Sequence, residues 1–484
     1  MALGFGLWLI TFVYHRVAKA NFEAHVAELA AKGESIEVDD LRPPPIGNPE
    51  DDVGAAPVFA EFLERCRKDP EGEGEDPVFG AFNFRKIPGF SADQIEERKP
   101  PLVKYLTSSS FIEGFDTSDE VAAARAILDH GEAHEQTLAG IREALARSRA
   151  DFEAPYGDFK ASYPGLNAFH NTGKYLHRQG QAALFLGRND LARSNAVAIL
   201  RFARHVGSHV TLIHGLVGIS NHDNAIHLIR EGFDSGAWSK EDLSALAVEL
   251  EARWLEEAFL GALRMERAGA MIFWKQMPED HASWEYQDDR WIRHFLLMPD
   301  LREGWIVDGS EFYSRMLQEK VLEDEHGNIL TTRIVPPLRA LPEIAPAGSD
   351  PRDQIRFYVE TFRHVSACSS FATFASIRSR TLRSQVFQDH ALIAISLALH
   401  QRKNGRLPAT LDGLTLPSGA PLPLDPFTGV NYLYRPEGET DYLLYSPGPN
   451  GLDEGGLIRH RYEDGDWVWR LHLPDDFDYD AYRR

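Results

Sequence analysis

The side chains most able to do chemistry near neutral pH are histidines, and several fall at helical spacings. His130 and His134 stand four apart, with Asp129 and Glu135 beside them. On a helix that spacing puts two imidazoles on one face, as a zinc site requires. The segment reads His130-Gly-Glu-Ala-His134, however, and not the His-Glu-x-x-His of metalloproteases. His205 and His209 form a second such pair, while His214, His222 and His227 follow at steps that do not hold one face. A metal centre also needs a third ligand and an open position, which spacing alone does not supply. The expectation is therefore surface histidines or hydrogen-bonded core histidines. Cys368 lies four residues after His364, close enough to have its thiol activated, although a small buried cysteine is the commoner outcome. No Gly-x-Ser-x-Gly elbow, P-loop or Gly-x-Gly-x-x-Gly turn occurs. No catalytic residue is assigned.

Composition narrows the classes further. The chain has 484 residues, 43% hydrophobic and 26% charged, an ordinary globular balance. A formal charge of −22 argues against a general nucleic-acid binder, which needs a positive footprint for phosphate. Two cysteines, Cys66 and Cys368, exclude a disulfide scaffold.

The elements that must position these side chains are mostly helices. Residues 39–76 are acidic, carry Pro43-Pro44-Pro45, and read as a linker with one short helix at Val58, Phe59, Phe62 and Leu63. Thr117-Ser-Asp-Glu120 has capping-box form before a helical run to Ser148. Helices over 173–186 and 190–206 flank Gly187-Arg-Asn-Asp190 as a hairpin, loosely tetratricopeptide-like. A further pair is expected at 210–219 and 224–230, then a longer helix from Lys240 to about Arg267, capped by Ser239 with Asp242. Trp274, Trp284, Trp291 and Trp305 crowd the next stretch, where stacking on sugars is conceivable and burial as packing anchors is the expectation. A hairpin is expected over 321–334, with helix resuming at Arg352.

The carboxy-terminal segment is the most specific. A long helix over 385–403 ends at Asn404-Gly405, and Pro408 and Thr410 come next. After these stand the turn Asp425-Pro-Phe-Thr-Gly429, strands carrying Tyr432, Tyr434 and Tyr445, and Ser446-Pro-Gly448-Pro-Asn450-Gly451 with Gly455-Gly456. A third strand is expected near 467–473. This order of motifs resembles the globular part of type II secretion major pseudopilins, over about residues 385–473. The resemblance implies a small α+β unit whose last loop binds calcium, with Asn450, Asp453 and Glu454 contributing oxygens. It also implies a body outside the cytoplasm. Pseudopilins assemble through a first helix with a Gly-Phe-x-x-x-Glu start; here Gly4-Phe5 is present but Leu9 replaces the glutamate. The layout as a whole is similar to uncharacterised bacterial proteins with one N-terminal anchor.

That anchor is the apolar run from Ala2 to Tyr14, followed by His15, Arg16 and Lys19. As a helix it covers about 20 Å, against a hydrocarbon core of roughly 30 Å. It reads as a truncated or partly inserted anchor that continues into a stalk to Gly33. The sequence thus predicts a mainly α chain: anchor and stalk (1–33), linker (34–100), irregular helical-hairpin array (101–380) and pseudopilin-like unit (381–484). The expected function is a single-pass, membrane-anchored interaction scaffold of the bacterial envelope that binds protein partners and no nucleic acid. The alternatives are a metal-assisted hydrolase of envelope polymers and a carbohydrate binder using Trp284, Trp291 and Trp305.

Overall fold

A computed structural model describes residues 2–68, 79, 119–156, 163, 165–280, 299–322, 351–458 and 465–469. The chain is mainly α-helical, with one small antiparallel sheet among the described residues. Its helices are α1 (Ala2–Ala31), α2 (Val38–Leu41), α3 (Pro57–Lys68), α4 (Glu120–Ala133), α5 (Glu135–Ala144), α6 (Leu166–Phe185), α7 (Asn189–Gly207) and α8 (Leu212–Asp234). After them come α9 (Lys240–Leu250), α10 (Leu255–Asp280), α11 (Pro299–Leu317) and α12 (Pro351–Asn404). The sheet is β1 (Leu433–Pro436), β2 (Tyr442–Ser446) and β3 (Trp467–Trp469) in that spatial order. Leu433 faces Tyr445 across the first pair, and Leu444 faces Trp469 across the second.

The amino terminus corrects the expected anchor. Among the described residues no helix is long and apolar enough to cross a membrane, which overturns the transmembrane and single-pass assignment. The apolar run breaks at His15 and Arg16, and the helix goes on through Lys19 and Glu23. Nor is the remainder of α1 a free stalk. Thr11, Ala18, His25 and Leu29 recur at steps of seven and four and are buried, a stripe that packs on α11. Tyr14 donates to Asp308 at 3.1 Å, His25 Nε2 meets Ser314 Oγ at 2.9 Å, and Glu28 pairs with Arg315 at 3.2 Å. Gly304 lets the two helices approach, because a Cβ there would press on the Tyr14 ring and the His15 backbone. At the far end Glu34 is held by Arg264 at 3.0 Å and by the buried Arg267 at 2.6 Å.

The segment around α3 is also stitched into the body. Val53 N donates to Arg149 O at 2.9 Å, and Arg149 N to Asp51 O at 3.0 Å. Phe59 and Phe62 are fully buried among Phe79, Phe152, Phe169 and Phe202, with ring centroids 4.3 to 6.5 Å apart. Fused aromatic packing of this kind supplies both area and orientation to the core.

Helix boundaries differ from expectation at several places. One continuous α8 replaces the expected pair: residues 220–223, left between the two, are helical, with Asn221 packed against Gly173 of α6 and Asp223 accepting from the Ser384 hydroxyl of α12. Conversely, the run after Glu120 splits at His134 (φ −111°, ψ 17°), and the cap is Asp119, which accepts from Ala122 N at 2.8 Å. The Ser239–Asp242 capping box forms as expected, but its helix ends at Leu250 and α10 starts at Leu255. Gln318–Leu322 is a π-helical turn, and the rest of the hairpin expected at 321–334 lies outside the described residues.

Candidate functional site: a cleft at the ends of α8 and α12

Two elements far apart in sequence end side by side. Trp238 folds back over the last turn of α8, donating Nε1–H to Ile229 O at 2.8 Å. Gly232 makes this fold-back sterically permissible, since a Cβ there would overlap the indole. The helix closes with Ala237 N on Gly232 O at 2.8 Å and Gly236 in the left-handed region (φ 65°). Arg402, near the end of α12, donates to Trp238 O. Gln401 reaches across to Glu439 O at 3.0 Å, tying α12 to the β1–β2 loop.

A buried hub sets the sheet over α12. Asp389 receives Arg253 at 2.6 Å, Gln385 at 3.0 Å and the Tyr432 hydroxyl at 2.8 Å. Burial holds the Tyr432 phenol well above its ordinary pKa, so it stays a donor to this carboxylate. His390 packs edge-on against Tyr432 at 4.9 Å, and its own burial presses its pKa down to about 3. One carboxyl group thus joins the α9–α10 connection, the long helix and the strand unit.

Between these elements lies a half-open cleft of about 510 Å³. Its walls are Phe233, Trp238, Tyr442 and Leu407, with Asp234, Asp441 and Arg402 as its charged groups. Trp238 and Tyr442 are buried at the back, whereas Asp234, Ser235 and Thr440 are exposed at the rim. Arg402 is directed onto the Trp238 carbonyl, and Asp441 Oδ1 accepts from Tyr442 N at 2.8 Å. The Ser235 hydroxyl donates to Glu231 O at 2.9 Å, so it caps the helix. The described lining contains no histidine, cysteine or lysine. Aromatic faces, two carboxylates and two helix C-termini favour a cation, through ring quadrupoles and the negative ends of helix dipoles.

The residues singled out by spacing lie elsewhere. His130 bonds Tyr175 OH at 3.1 Å and packs on His134 at 4.6 Å. His205 donates to Leu145 O at 3.2 Å. His209 accepts from Phe152 N at 2.9 Å and contacts His205 O at 3.1 Å, which fixes a neutral tautomer with Nδ1–H as the donor. Its ring is stacked between Phe152 and His214, and His214 bonds Thr211 Oγ1 at 2.7 Å. Burial lowers the pKa of His130, His205, His209 and His214, the first two to about 4. Among the described residues no three His, Cys, Asp or Glu side chains converge on a metal position. Trp284 and Trp291 lie outside the described residues; Trp305 is on α11, and Cys368 and His364 are on α12.

In the carboxy-terminal loop the expected calcium ligands make bonds within the protein. Asn450 Oδ1 accepts from Leu452 N at 2.9 Å. Asp453 Oδ1 accepts from the Tyr445 hydroxyl and from Gly455 N, both at 2.9 Å. Glu454 contributes its backbone N–H to Asp466 at 3.1 Å. Asp466, which spacing did not single out, also accepts from Gly456 N at 2.7 Å and Leu457 N at 3.2 Å and so closes the loop. Its position immediately before β3 was the available signal. Gly448, Gly451, Gly455 and Gly456 all have positive φ, which explains why this loop is written in glycine.

Comparison with known proteins leaves the chain on its own geometry: no family model, no curated protein and no solved structure matches it.

Proposed function

We propose that the chain is a recognition scaffold that binds a protein partner, gripping an extended segment with a basic side chain in the cleft between α8, α12 and the β1–β2 loop. The observation that carries this reading is the cleft itself, with aromatic walls and the carboxylates Asp234 and Asp441 at its mouth. Rigid aromatics at the back of a concave site are the usual anchors of recognition. The irregular helical array, weakly tetratricopeptide-like, and the pseudopilin-like character of the carboxy-terminal unit belong to the same reading, since both kinds of unit work through protein contacts. Of the histidine pairs that suggested a hydrolase, His205 and His209 serve the core.

Fluorescein-labelled decapeptide pools biased to basic, acidic, aromatic or aliphatic composition test it, titrated with the full chain by fluorescence anisotropy. The basic pool binds saturably with a Kd below about 100 μM, and Thr440→Trp at the exposed rim weakens it by about tenfold or more. Absence of saturable binding in every pool, or binding indifferent to Thr440→Trp, overturns the proposal.

A further inference from the structure

One turn before the cleft, α8 carries a concentration of positive charge that a chain of net charge −22 does not lead one to expect. His227 is exposed on α8 and touches Arg230 of the same helix; Arg383 of α12 faces Asp223 one turn earlier, Arg178 of α6 bonds the Gln181 that reaches Glu231 one turn later, and both act on the charge of the ring. Arg380 adds a fourth guanidinium beside Asp223. The flanking carboxylates are already engaged. Glu231 accepts from Gln181 at 2.6 Å, and Asp223 takes the Ser384 hydroxyl and faces Arg383 at 4.0 Å. Burial raises the pKa of both acids. Among the described residues four guanidiniums thus stand near two partly buried acids.

The donor geometry points the same way. Arg230 Nη2 lies 3.1 Å from His227 Nδ1. A guanidinium has only donors, so Nδ1 is the acceptor, the ring is neutral, and its proton sits on Nε2. Desolvation on its protein-facing side, then Arg230, Arg383 and Arg178, lower the His227 pKa to about 4. The group presents an imidazole N–H and guanidinium N–H atoms, and this donor set matches the oxygens of a tetrahedral oxyanion. Arg230 and Asp234 are one turn apart, about 6 Å along the helix axis, so the patch borders the cleft while using different side chains.

We infer that His227, Arg230, Arg178 and Arg383 form a binding site for a phosphoryl group, held by guanidinium donors and the His227 Nε2–H. The inference stands on the α6–α8–α12 arginines and does not require the cleft to bind a peptide.

Isothermal titration of the full chain at low ionic strength, with inorganic pyrophosphate in one arm and a phosphoserine tetrapeptide in the other, tests it. Saturable binding is expected in at least one arm, and the tighter arm identifies a free anion or a phosphorylated segment as the source. Arg230→Gln weakens binding about tenfold or more, Arg178→Gln does so in parallel, and the urea midpoint of each variant reports its folding. Arg193→Gln, which removes the arginine paired with Asp242 at 3.0 Å, is the control for unspecific charge and leaves binding unchanged. No binding in either arm overturns the site, and so does an equal loss in Arg193→Gln, which would show a diffuse electrostatic effect.

Discussion

The two ends of α8 use the same kinds of side chain in opposite ways. At the first turns His214 and His222 are buried, and His214 stacks on His209, itself stacked on Phe152. At the last turns His227 is exposed among arginines, and Asp234 opens onto the cleft. The difference lies in what faces the helix. α7 and the Phe152–His209 stack close over the first turns and Trp254 covers His222, whereas the side of the later turns that carries His227 and Arg230 is left open beside α6 and α12. A histidine spaced along a helix is thus a core ring at one end and a surface donor at the other. Burial by the neighbouring elements decides between them.

The largest way to break this contrast is acid. Buried His205 and His222 are lowered to about 4, and His390 to about 3, from an ordinary value of 6.5. In the unfolded chain these rings take up protons below their ordinary pKa, while in the folded chain they do so only near 3 to 4. Stability is therefore retained above pH 6.5 and lost as the pH falls from there toward 4. At pH 5 each ring costs about 2 kcal/mol. Urea midpoints at pH 7 and pH 5 measure the loss, and His222→Gln makes the decline shallower. An unchanged midpoint between the two pH values would contradict the sealed end.

Asp389→Ala is next, because it leaves Arg253 and Tyr432 without the carboxylate that joins them. Removing one partner of a buried charge pair costs about 3–5 kcal/mol. Amide exchange should accelerate first in 433–446, while 202–214 keeps its protection. Uniform acceleration would show that the hub does not set the strand unit specifically.

The smallest effects sharpen the contrast within α8 itself. Gly232→Ala drives a methyl into the Trp238 indole and costs about 1–3 kcal/mol, with a red shift of tryptophan emission as the ring is displaced. Gly215→Ala, where nothing lies within 4 Å, stabilises the same helix by about 0.5–1 kcal/mol. Thermal midpoints moving in opposite directions would support the two different roles of glycine along α8.

Much of the local structure was legible because its causes are local. The Ser239–Asp242 box, the turn at Gly187 (φ 72°) and strand β2 arise from a few adjacent residues. The Asp425-Pro-Phe-Thr-Gly429 turn is closed by Gly429 N on Asp425 O at 2.8 Å. The features that escaped depend on partners far along the chain. The apolar start reads as an anchor until His25 and Glu34 find Ser314 and Arg267, more than 200 residues later. The one-helix α8 is hidden because the polar residues 220–223 separate two apolar runs until Asn221 lies against Gly173 of α6. The candidate site was not legible at all. Phe233, Trp238, Arg402 and Tyr442 meet only after α8, α12 and the sheet have been assembled.

The most direct test of the central claim is amide hydrogen exchange of the full chain with and without a saturating basic decapeptide pool. The cleft account predicts protection confined to 232–238, 398–407 and 440–442, with none at the histidine stack over 205–214. Protection that leaves those three segments unchanged, or that appears only elsewhere in the molecule, would contradict it.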